Sequence, residues 1–308
     1  MSWRPTSWGH RAMLADQPDG GAARVLGATD LADARRVCAS DPVASVLAAA
    51  RVEVAARAGL AASGGQLWGY PRTGPVEAVC WAGANIVPVV PSSLGRAERD
   101  DAVASFAAAA RRLGRRSSSV VGEQQVVLRL WELLSRVWPA PREIRADQPS
   151  LAIDRAPDVE PDPGVRLSRP DELDLVLPAC VRMFTEEVGY SPLSGGGGAY
   201  AARVRGLIAE NRSFVRLEPD DHDPVRVAFK AELGAVAGPV AQVQGVWVDP
   251  ELRGRGLAAP GMAAVVELTR RQVAPVVSLY VNSFNAPALA TYRRVGFEQV
   301  GTFATILF

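Results

Sequence analysis

The segment that most limits what this chain can become is VQGVWVDPELRGRGLAAPGMAAVVELTRR, residues 243–271. A β-branched run ends at Val248, Asp249-Pro250 turns the chain, and Arg253-Gly254-Arg255-Gly256-Leu257-Ala258 runs directly into an apolar helical stretch. Glycines lack a Cβ, so main-chain N–H groups there can close on a phosphate. The unpaired N–H groups and positive dipole end of the following helix attract the same anion. The segment reads as a pyrophosphate cradle.

A second pattern follows downstream, NAPALATYRRVGF, carrying Asn285, Ala288, Tyr292, Gly296 and Phe297. On a helix Ala288 and Tyr292 are four residues apart and share one face, so the phenol points the same way as the small residue beside it. Gly296 ends that helix and Phe297 begins a strand.

Together these residues resemble the GNAT superfamily of acyl-CoA N-acyltransferases. Arg253-x-x-Gly256-x-Ala258 fits its Arg/Gln-x-x-Gly-x-Gly/Ala signature, and Asn285, Tyr292 and Gly296-Phe297 fit its second one. The likeness spans residues 165–308. It implies an α/β fold with a mixed sheet, and an enzyme that moves an acetyl or other short acyl group from acetyl-CoA to a primary amine of a small molecule or peptide by direct attack. Acetyl-CoA would be the cosubstrate. The competing reading is a non-catalytic acyl-CoA-binding sensor or scaffold.

Carried over by position, the resemblance assigns the pyrophosphate to the main chain of Arg253, Gly254, Arg255, Gly256, Leu257, Ala258 and Ala259. The strand ending at Trp247-Val248 splays from its neighbour and pairs with the pantetheine, along which Asn285 lies. Tyr292 protonates the departing thiolate. Some family members place a glutamate base where this chain has Gln242, which cannot take a proton. That leaves Glu232 on the preceding strand as the candidate base, with Gln242 or Gln244 holding a water. The segment MFTEEVGYSPLSGGGG covers the acceptor pocket in this alignment. There Glu186, Glu187 and Tyr190 could bind a cationic amine, and the glycines at 195–198 would make a mobile lid.

Length suggests two domains of roughly 150 residues, and the order of elements in the second half repeats that of the first. The expected division is a polar tail at 1–22, a degenerate GNAT-like domain at 23–156, a Pro- and Asp-rich linker at 157–164, and a complete GNAT acetyltransferase domain at 165–308, as in tandem actinobacterial members. The first half is read as degenerate because residues 91–99 offer one glycine and carry Glu98, with Asp100 beside them, a poor anion cradle. That half would either close one side of the acceptor cleft or cover exposed strands. Trp68, Trp81, Trp131 and Trp138 would fill its core or the interface.

The remaining composition narrows the partners. With 34 basic against 33 acidic side chains the net charge is +1, without the surplus that nucleic-acid binding needs. No run approaches the ~20 apolar residues of a membrane span, and residues 1–22 hold no signal-peptide run, so a cytoplasmic protein without a membrane partner is expected. Three scattered cysteines, with His10 and His222, form no metal-binding spacing, so no metal is expected. Cys180, Met183 and Phe184 fall on the apolar side of their helix. Lys230 is the sole lysine beside 33 arginines. That bias reads as genomic rather than as arginine chemistry.

Overall fold

A computed structural model describes residues 23–194, 197–219 and 225–308. The expected N-terminal tail with His10, the turn holding His222, and Gly195-Gly196 of the expected lid lie outside the described residues.

The first half contains strands β1 (Arg24–Val25), β2 (Gln66–Tyr70), β3 (Ala78–Ala82), β4 (Asn85–Val89), β5 (Ser119–Glu123) and β6 (Glu143–Ile153), with helices α1 (Leu31–Ala39), α2 (Pro42–Ala58), α3 (Arg96–Leu113) and α4 (Gln124–Leu134). The second half contains β7 (Arg166–Leu167), α5 (Leu173–Val188), α6 (Gly198–Ala209), β8 (Ser213–Glu218), β9 (Arg226–Ala237), β10 (Val240–Val248), α7 (Ala258–Gln272), β11 (Val276–Tyr280), α8 (Ala286–Val295) and β12 (Glu298–Leu307).

Local chemistry sets several of the boundaries. Asp41 accepts from the Ala44 N–H at 3.0 Å and so caps α2, whose first residue is proline. Gly189 ends α5 and Gly296 ends α8, both in the left-handed region that glycine adopts without a Cβ clash.

The twelve strands of the described residues form one sheet, in the order β1-β2-β3-β4-β5-β12-β6-β11-β10-β9-β8-β7. The two halves therefore exchange their last strands. β12 lies antiparallel between β5 and β6, while β6 lies antiparallel between β12 and β11. Helices cover both faces. α7 and α8 pack through Met262, Val265, Leu289 and Tyr292 against Phe229, Leu233, Val243 and Leu279. α3 and α4 pack against the first-half strands and against Ala304 and Ile306 of β12. On the opposite face α1 and α2 cover the first half, meeting Val79, Trp81 and Phe303, and α5 and α6 cover Val215, Val227 and Trp247. α2 also crosses the boundary, where Val46 packs on Ala235, Ala237 and Val240 of β9 and β10. The tryptophans divide accordingly: Trp68, Trp131 and Trp138 belong to the α3–α4 side of the first half and Trp81 to the α2 side.

Candidate active site

β10 runs parallel to β11 only over Val240–Val276, Ala241–Val277 and Gln242–Ser278. Beyond Gln242 the ladder to β11 ends, and Leu279 and Tyr280 pair only with β6. The strands splay, leaving the main chain of residues 243–248 without a β11 partner. On its other side β10 meets β9 with register shifts between Gln242 and Val243 and between Gln244 and Trp247. Gly245, at the second shift, has φ of 60°. A bulge of this kind increases local twist and turns the strand away from its neighbour.

α7 starts beside this opening. Its first residue follows Leu257, which makes no side-chain cap. Among the described residues, the N–H groups of Gly254, Gly256, Leu257, Ala258 and Ala259 have no hydrogen-bond partner. Pro260 has no N–H, and the Gly261 N–H is taken by the Leu257 carbonyl at 3.0 Å. Gly254 and Gly256 adopt φ of 78° and 80°, and a Cβ at either would meet nothing within 4 Å. Five free donors at a helix N-terminus in open space fit a diphosphate. At the matching helix of the first half the Glu98 carboxylate accepts from the Gly95 N–H at 2.9 Å and puts a negative charge at the N-terminus, which opposes an anion there.

The residues expected to flank the cofactor are joined to the expected lid. Glu186 accepts from the Trp247 indole at 3.3 Å and from Arg253 at 2.6 Å, while Arg253 also donates to the Val248 carbonyl at 3.1 Å. The Glu186 carboxylate thus bridges α5 to the cofactor loop. Arg255 is exposed. Asn285 caps α8, accepting from the Ala288 N–H at 3.2 Å.

Tyr292 is buried between α8 and the sheet, its ring edge-on to Phe297 at 5.9 Å. Burial, with a smaller contribution from the Glu187 charge, raises its phenol above the usual range, so it keeps its proton at neutral pH. Glu187 lies 3.5 Å from Arg145, and the Arg142 guanidinium sits over the Tyr190 ring at 5.3 Å. Both arginines belong to the first half, one on β6 and one just before it, a placement the sequence did not signal.

Glu232 is 1% exposed and engaged on every side. Lys230 donates to it at 2.9 Å, the Cys180 thiol at 3.2 Å, and Arg203 approaches at 3.4 Å. Burial opposes its ionisation, but the Lys230 and Arg203 charges outweigh that and hold it below the usual carboxylate range. Lys230, fully buried, also donates to the Gly245 carbonyl at 3.0 Å, tying the bulge to the ion pair. Gln242 is 3% exposed, and among the described residues its Nε2 has no acceptor. Cys180 is buried, its thiol pushed up to about 12 chiefly by desolvation.

Residues 207–297 match the Acetyltransferase (GNAT) family, and residues 65–176 match a family described as a domain of unknown function, DUF4081. A mycothiol acetyltransferase of Saccharomonospora viridis is 46% identical over 65 residues, which make up 21% of each chain. That of Clavibacter michiganensis is 44% identical over 64 residues, again 21% of each. These alignments thus span only about a fifth of either protein. Among solved structures, a Drosophila protein aligns over 94% of this chain and 99% of its own at 14% identity, with a TM-score of 0.63. A tandem GNAT protein from the clavulanic acid biosynthesis pathway aligns over 93% and 98% at 16% identity, with a TM-score of 0.55. At these identities they establish the fold. Residues 207–297 therefore match the acetyltransferase (GNAT) family, and the chain has the fold of tandem GNAT proteins.

Proposed function

We propose that this protein transfers an acetyl group from acetyl-CoA to a primary amine by direct attack, at the splay between β10 and β11. The observation that carries this reading is the set of five unpartnered N–H groups at the start of α7, beside a strand whose edge is free from residue 243 onward. The α7 loop would hold the diphosphate, and the exposed β10 edge would pair with the pantetheine amides. Bound acetyl-CoA supplies an activated thioester.

Attack requires a neutral amine. At pH 7 a lysine-like amine of pKa about 10.4 pays roughly 4–5 kcal/mol to lose its proton, and an α-amine near 8 about 1. Glu232 supports this step indirectly in our reading. Its carboxylate is already bound by Lys230, Cys180 and Arg203, and its low proton affinity suits holding Lys230 in place rather than deprotonating an amine. Lys230 in turn fixes the Gly245 carbonyl, and with it the main chain of the bulge that would lie along the bound cosubstrate. Tyr292 keeps the proton that the departing thiolate needs.

Calorimetric titration of the full chain with acetyl-CoA tests the proposal. The expected result is saturable binding that disappears in Gly256→Glu, which brings a carboxylate to the anion site; because φ there is 80°, a thermal melt checks that the variant folds. No heat with the intact protein would defeat the reading.

A further inference from the structure

α2 of the N-terminal half rests on β9 and β10 where the β10–β11 ladder stops, and that neighbourhood gathers donors that lack acceptors. Arg51 of α2 places its guanidinium over the Trp81 ring at 4.7 Å, and among the described residues it has no carboxylate partner. Trp81 is 3% exposed, and its indole N–H also lacks an acceptor. Burial first, then the nearby charges of Arg203 and Arg212 in the C-terminal half, hold the Arg51 guanidinium below its usual value.

Those two arginines flank one short stretch of β9. Arg203 reaches Glu232 at 3.4 Å, and the Arg212 carbonyl accepts from the Leu233 N–H at 2.8 Å. α2 rests on the same strand, through Val46 on Ala235. Gln242 lies two residues beyond Val240, which packs on α2, so by strand alternation it shares that face with its own unpaired Nε2 donor. Four cations, Arg51, Arg203, Arg212 and Lys230, stand against two carboxylates. Glu232 is shared by Lys230 and Arg203, and Glu210 pairs with Arg212 at 3.2 Å. Guanidinium groups carry only donors and do not lose their charge. Arg51 is exposed, and repulsion among these neighbouring cations is relieved by an anion that accepts from them.

We infer that the acceptor amine carries an anionic group, a carboxylate or a phosphate, bound by Arg51 together with Arg203 and Arg212 above Trp81. The inference rests on the acetyl-transfer reading for its substrate, and it gives the N-terminal half a direct part in recognition. It departs from the sequence expectation of a cationic acceptor held by Glu186 and Glu187. The first is occupied by Trp247 and Arg253, and the second lies beside Arg145.

Matched amines test it on the full-length protein: phenylalanine against phenethylamine, glycine against glycinamide, and glucosamine 6-phosphate against glucosamine. The carboxylate and phosphate arms separate the two anion types. One readout is acetyl-CoA turnover; the other is calorimetric binding of the same amines to protein saturated with CoA, which needs no chemistry. The anionic member of at least one pair should bind and react about tenfold better. Arg51→Ala should erase that preference by raising KM, with kcat and CoA binding retained, and Arg51→Lys should restore part of it. Thermal melts confirm that both variants fold. Equal or better binding of the neutral members, or an Arg51→Ala variant that keeps the preference, overturns the inference. Arg51-dependent binding of anionic amines without any turnover would uphold it and defeat the acetyl-transfer reading instead.

Discussion

Lys230 shows what a single side chain can determine in this protein. Its ammonium is fully buried, and its two partners, Glu232 and the Gly245 carbonyl, join the ion pair to the β10 bulge. Removing one partner of a buried pair strands the other's charge, which costs about 3–5 kcal/mol. Lys230→Met should lower unfolding stability by that amount in urea titrations, and adding Glu232→Gln should recover most of it. The folded Glu232 has a lowered pKa. Its stabilising contribution is therefore present above the unfolded carboxylate value of about 4.3 and lost as pH falls below it. The stability gap between the parent and Glu232→Gln should be constant near neutrality and shrink below about pH 4. At Tyr292 the phenol stays protonated. Tyr292→Phe is expected to lower kcat by about 10²–10⁴ while calorimetric acetyl-CoA binding is unchanged. Equal losses in binding and rate would instead point to a packing role against Phe297.

At the level of elements, the contrast between two helix starts separates the halves. α3 carries the Glu98 carboxylate in its first turn, whereas the first turn of α7 holds no acidic side chain. The difference was legible in sequence, because glycine spacing and a carboxylate three residues into a helix act locally. The bulge was not legible: it depends on how β9 and β10 register against each other. Gly245 has φ of 60°, and a Cβ there would come within 3.1 Å of the Met183 Cε and 3.2 Å of the Lys230 Nζ. Gly245→Ala should therefore cost about 1–2 kcal/mol in denaturant unfolding and slow acetyl transfer more than it weakens acetyl-CoA binding. Unchanged kinetics would show that the bulge does not position the reacting groups.

At the level of the whole molecule, the exchange of β6 and β12 makes the halves mutually dependent. A fragment of residues 157–308 would lack β6 beside β11 and β5 beside β12, exposing strand edges that both halves now cover. Unpaired edges recruit other chains. The fragment is expected to associate or aggregate in light scattering after gel filtration, while the full chain remains a defined species. A well-folded monomeric fragment would show that the exchanged strands are dispensable. α2, resting on β9 and β10, adds a second dependence that no linker length could reveal.

The sequence alone determined the glycine-rich turn into α7 and the Gly296 stop of α8. Each of these follows from neighbours within a turn or two, where backbone freedom and N–H supply are local properties. Only the tertiary structure decided that Lys230 and Glu232 form one buried pair, that Glu186 bridges Trp247 and Arg253, and that Arg51 of α2 stacks on Trp81 of β3. Arg51 lies some 150 to 160 residues before Arg203 and Arg212, and the paired strands β5 and β12 lie some 180 residues apart. Long-range pairings of this kind depend on sheet order and helix placement, which no local pattern of residues records.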